Sequence, residues 1–223
     1  MNELKAVWHV VQKDFTLEFR TRYGLNLILL FILISVSLVV FSFAGEALEN
    51  TLLATLMWNT IFFSAMASLQ RGFVSEAEQG TLLFLKISYP ASAVFFGKLV
   101  YNCLLAISIN FLVAILYLSV LSLEVQNHDI FLATMFLGSL ATAIPLTLIS
   151  AIVAGTSSKG SLFAVLSFPP ILPAIWLVVR TTRFSAEAGR VFSDASVDLN
   201  LLLAYSAIML ILGWMLFDFV WEE

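Results

Sequence analysis

Charge is scarce in this chain, and the places where it is missing decide the solvent. Only 12% of the 223 residues are Asp, Glu, Lys or Arg, while 61% are hydrophobic. None of the four charged types occurs from Tyr23 to Gly45, Asn50 to Gln70, Leu99 to Leu123, Ile130 to Ser158, Gly160 to Val179 or Leu199 to Phe217. These runs are 23, 21, 25, 29, 20 and 19 residues long. A helix needs about 20 mostly apolar residues to cross the hydrocarbon core, and open strands or loops are not tolerated against lipid. The reading is an all-α integral membrane protein with six transmembrane helices, at about 25–44, 51–69, 99–123, 130–154, 160–179 and 199–217. The first run holds 15 Leu, Ile, Val or Phe between Leu25 and Phe43. That is longer than the apolar core of a signal peptide, so it reads as a permanent span.

Other absences exclude chemistry. Cys103 is the single cysteine, which rules out an intrachain disulfide or a cysteine-based metal site. There is no C-x-x-C-H, and the two histidines, His9 and His128, fall on opposite sides of the membrane in the topology below. No metal site is expected. The six runs contain no acid, which argues against a proton relay and against intramembrane proteolysis. A P-loop is missing too: Gly97-Lys98 lacks the preceding glycine, and Lys159 is misplaced within Gly155–Ser161. The chain is expected to be a non-catalytic subunit, so energy for uphill transport has to come from a partner.

Lys and Arg near the spans set orientation. With the N-terminus inside, Lys5, Lys13, Arg20, Arg22, Arg71, Lys86, Lys98 and Lys159 lie inside, against Arg180, Arg183 and Arg190 outside. Eight against three favours cytoplasmic termini. Before the first span, Leu4, Val7, Trp8, Val11, Phe15 and Phe19 recur at helical spacing, which predicts an interfacial helix over 1–22. Its apolar stripe lies in the headgroup plane or packs on another helix of the chain. The tryptophans mostly fall near span ends and read as interface anchors.

Three spans carry polar or breaking residues. In the second, Thr51, Thr55 and Asn59 form one stripe and Thr60, Ser64 and Ser68 the opposite one. This suits a helix lining a pathway, or equally hydrogen bonds between packed helices. The fourth run would be about 43 Å long as one helix, beyond a 30 Å core, and Pro145 offers a bend. Pro169, Pro170 and Pro173 remove three backbone donors from the fifth span, which predicts a broken or sharply bent element.

The cytoplasmic segment between the second and third spans, Arg71 to Lys98, looks built for docking. Gly80 ends one helix, Thr81–Ser88 forms a short amphipathic one, and Pro90 suits the start of the next. Leu82, Leu83, Phe84 and Leu85 on such a helix expose apolar area that needs a membrane surface or a protein groove.

The stretch E-A-E-Q-G-T-L-L-F-L-K-I-S-Y-P-A-S-A-V-F-F-G-K-L, Glu76 to Leu99, resembles the coupling-helix region of type-2 ABC transporter permeases. The match rests on Glu76, Gly80, Thr81, Leu82, Leu85, Ser88, Pro90, Gly97, Lys98 and Leu99; Leu83 stands where that superfamily commonly has Glu. Lys159-Gly160, the run Phe168 to Pro173 and Lys13-Asp14 with Arg20 further resemble the CcmB family, the haem exporter permeases of cytochrome c maturation.

The resemblance implies one transmembrane domain over 1–223, in a bacterial inner membrane. It implies two copies of the chain, a separate ATP-binding subunit that carries the ATP, and haem as cargo. Haem-handling membrane subunits, a periplasmic haem chaperone and membrane lipid complete the expected partners; nucleic acid is not among them. Glu76, Glu78, Gly80, Thr81, Leu82, Leu85 and Pro90 are then the residues that couple to the ATPase. Asn59, Pro145 and the three prolines of the fifth span mark the pathway. His128 is a candidate haem ligand or a solvated loop histidine, and Arg180 and Arg183 either pair with haem propionates or anchor to headgroups. Export of a lipid, drug or polysaccharide on the same fold is the alternative, and a non-transporting scaffold is a third reading.

Overall fold

The computed structural model describes residues 3–43, 48–156 and 159–222. These form helices α1 (Glu3–Thr21), α2 (Tyr23–Phe43), α3 (Asn50–Leu69), α4 (Arg71–Glu78), α5 (Leu82–Ser88), α6 (Ala91–Val120), α7 (His128–Ala154), α8 (Lys159–Ala186) and α9 (Phe192–Glu222). Six helices are long and apolar enough to cross a membrane. Residue 44, the predicted end of the first span, lies outside the described residues.

Helices α6 and α9 run 30 and 31 residues, past the charge-free runs of 25 and 19 that marked them. The helices continue because their charges find partners: Lys98 sits against carboxylates, and Asp198 lies 3.1 Å from Arg180. A charge-free run therefore underestimates the helix wherever a charge is paired.

The most buried span is α7, which packs against α3, α4, α6, α8 and α9. Its Thr134, Ser139, Thr142, Thr147 and Ser150 are all buried, so hydroxyls rather than charges hold the centre together. Asn102 donates to Thr147 at 2.9 Å and Asn110 to Ser139 at 2.8 Å, joining α6 to α7. Trp58 donates its indole N–H to Thr182 at 2.8 Å, joining α3 to α8. That tryptophan is a core residue and not an interface anchor: a Cβ on Gly138 would lie 2.4 Å from its ring, so the glycine of α7 makes the room.

Of the two readings of the fifth span, broken or sharply bent, the break is corrected. Helix α8 runs unbroken from Lys159 to Ala186 through Pro169, Pro170 and Pro173, as α7 does through Pro145. Membrane helices tolerate proline where neighbours cover the freed backbone. Here α7 and α9 pack against α8, and the Tyr205 hydroxyl of α9 ties the two helices by donating to the Pro170 carbonyl, which is not among the carbonyls of Val165, Leu166 and Pro169 that the prolines free.

Candidate functional site: a lever on a buried ionic clasp

The residues from Arg71 to Lys98 fold into a lever because two positions fix its joints. Gly80 has φ +70, the left-handed region, at the end of α4. The Gly80 N–H donates to the Ala77 carbonyl and the Thr81 N–H to the Glu76 carbonyl at 3.0 Å, the paired bonds that close a helix on glycine. At the other joint Tyr89 is extended, as the residue before a proline prefers, and Pro90 starts α6. Gln70 keeps helical angles between α3 and α4, so the lever is continuous with a span on each side.

Lever helix α5 divides sharply. Leu85 is buried at 1% exposure, while Leu83, Phe84 and Ile87 are 65%, 69% and 79% exposed. Positions i, i+1 and i+4 share one side of a helix, so these three make a single apolar face. Of the four residues expected to expose apolar area at this helix, Leu83 and Phe84 do, whereas Leu85 faces inward, Leu82 is partly covered and Ile87 takes their place. Lys86 places its ammonium 5.4 Å from the Trp221 ring of α9, bracing the lever from behind.

The base of the lever is ionic and buried. Glu76 of α4 is 5% exposed, Asp14 of α1 7% and Lys98 of α6 2%. The Lys98 ammonium spends its three donors on Asp14 Oδ1, Glu76 Oε1 and the Gly72 carbonyl, each at 3.0 Å. Lys13 joins from the rim, bonding to Glu76 and lying 3.3 Å from Asp14. Thr81, just before α5, donates its hydroxyl to the Glu76 carboxylate. Two carboxylates and two ammonium groups therefore neutralise each other while joining α1, α4, α5 and α6. A cavity of about 310 Å³ borders this clasp, with Glu18, Arg71 and Asn102 on its wall.

Helix α1 is locked to α6 beside the clasp. A Cβ on Gly97 would lie 2.6 Å from Val10 Cβ, so glycine lets the two backbones meet. Ala6, Val10, Val11 and Asp14 are buried, while Leu4, Trp8 and Phe19 stay exposed. The apolar stripe serves both purposes: one edge packs on the chain and the other is open to its surroundings.

Among the other expected residues, Glu78 and Gly80 are exposed near the lever joint, and Pro90 is exposed at the start of α6. Asn59 points outward from α3, whereas Thr60, Ser64 and Ser68 point in. Pro145 is buried; Pro169 and Pro173 are exposed and Pro170 is partly so. His128 is exposed at the start of α7. The Arg180 guanidinium is held by Asp198 and lies over Trp176 and Phe184 at 5.3 and 5.4 Å, while Arg183 is exposed in the same cleft. Asp14, Lys13 and Lys98 were missed as a coupled set. Their one signal was local: Lys98 interrupts the otherwise apolar F-F-G-K-L-V run, and a charge there needs a countercharge.

These features define an all-helical, six-span membrane protein with a short helical lever between its second and third spans. No curated protein matches the chain. The model of the CcmB protein family matches residues 5–218, and the chain belongs to that family, the haem exporter permeases of cytochrome c maturation.

Proposed function

We propose that the chain is the membrane half of an ATP-driven haem exporter complex, working as two copies with a separate ATP-binding subunit. The lever lies on the cytoplasmic side, in line with the eight-to-three excess of Lys and Arg there. The Leu83, Phe84 and Ile87 face of α5 seats in a cleft of the ATP-binding subunit, and Leu83 makes that contact apolar where the type-2 permeases it resembles commonly have Glu. ATP-driven closure displaces α5. Gly80 and Pro90 pass the displacement to α3 and α6, and the clasp makes α1 move with them. Glu76 acts inside the lever, joining its parts, and does not touch the ATPase.

The observation that carries this reading is the outward apolar face of short α5 set beside a buried ionic clasp between α1, α4 and α6. Its test is co-purification. Replacing Leu83, Phe84 and Ile87 together by Gln is expected to abolish capture of the ATP-binding subunit while the chain still inserts and folds. Replacing Leu4 and Trp8, which are equally exposed but on α1, leaves capture intact. Normal capture by the α5 variant removes the proposal. Haem as cargo is checked by c-type cytochrome content after deletion of the gene, where intact cytochromes point to a different substrate.

A further inference from the structure

A carboxamide in the middle of a membrane helix needs a partner, because hydrocarbon satisfies neither its donors nor its carbonyl. Among the described residues, three asparagines sit nine or more residues from either end of a span: Asn59, Asn102 and Asn110. The fold buries Asn102 and Asn110 and gives the N–H side of each a hydroxyl partner on α7, leaving both carboxamide carbonyls without a partner among the described residues. Asn59 is different. It is the tenth of the 20 residues of α3, about 13 Å of helical rise from the nearer end, and its side chain is exposed. It has no hydrogen-bond partner among the described residues. The exposed hydroxyls Thr55, Ser108 and Ser119 donate to carbonyls of their own helices, at Thr51, Leu104 and Ile115. A carboxamide has two donors and an acceptor, so one such bond to its own helix would leave the rest unmet.

We infer that Asn59 pairs with its own counterpart in a second copy of this chain, making the outer face of α3 a contact between copies. The inference rests on the two-copy reading above and assigns it a specific contact. Copies inserted in the same orientation and related by a two-fold axis along the membrane normal meet residue for residue at equal depth. At the depth of Asn59 the partner therefore offers the same group, and a carboxamide is complementary to itself, each N–H meeting the other carbonyl. Leu52, Thr55, Asn59, Phe63 and Ala67 are exposed at three- and four-residue spacing, so the amide sits between Thr55 and Phe63 on a mostly apolar face.

The experiment uses the full chain co-expressed with its ATP-binding subunit, in a Cys103→Ala background. Asn59→Cys is expected to form a disulfide between copies on oxidation in the membrane, and Ile115→Cys, exposed on α6, is expected not to. Asn59→Leu is expected to weaken self-association roughly three- to thirtyfold, the range for an interhelical hydrogen bond in a membrane, with Asn59→Gln restoring most of it. A complex that holds two copies by mass, does not cross-link at 59 and ignores Asn59→Leu overturns the pairing and leaves the two-copy reading standing. A complex with a single copy by mass removes the two-copy reading itself. Cross-linking of Asn59→Cys to a different subunit overturns the pairing and gives that subunit the face.

Discussion

Lys98 is the residue on which the lever should fail. Replacing it by Met keeps the length of the side chain and removes the ammonium that bonds Asp14, Glu76 and the Gly72 carbonyl. Removing one partner of a buried pair costs about 3–5 kcal/mol, because the other charge stays behind unmatched. Lys13 still bonds Glu76 and lies near Asp14, and its side chain is 32% exposed, so the lower figure applies: about 3 kcal/mol. The double variant Lys98→Met, Asp14→Leu again leaves one carboxylate for one ammonium and is expected to recover at least half of the loss. Reversible unfolding in mixed micelles gives both numbers, and stimulation of the ATP-binding subunit gives the functional counterpart. Two results refute the reasoning: a single variant within about 0.5 kcal/mol of the parent, or a double variant worse than the sum of its parts.

Two further substitutions test how the lever is built. Gly80→Ala places a side chain at φ +70 where nothing lies within 4 Å, so the cost is conformational, about 1–2 kcal/mol in unfolding, with weaker capture of the ATP-binding subunit. Gly97→Ala drives a methyl into Val10 and is expected to cost about 1–3 kcal/mol, with a compensating Val10→Ala recovering most of it in the same unfolding measurement.

Much of the architecture was legible because a bilayer reads local composition. A run of about 20 residues without charge is enough to place a span, whatever it packs against. The lever joints were legible for the same reason, since Gly80 and Pro90 act on their own backbone. The continuity of α8 was not. Three prolines argue locally for a break, yet the helix continues through them, packed against α3, α7 and α9.

The sequence alone determined the solvent, the number of spans and the lever's limits, all of which follow from composition and from residues close together in the chain. Tertiary structure decided which side of α5 faces outward, that Asp14 and Lys98 meet across 84 positions, and that Asn59 alone of the three deep asparagines looks away from the fold. A side chain's own chemistry states that it needs a partner. Only the packing of helices states where that partner is, because the choice among distant groups is made by the geometry that closes the bundle.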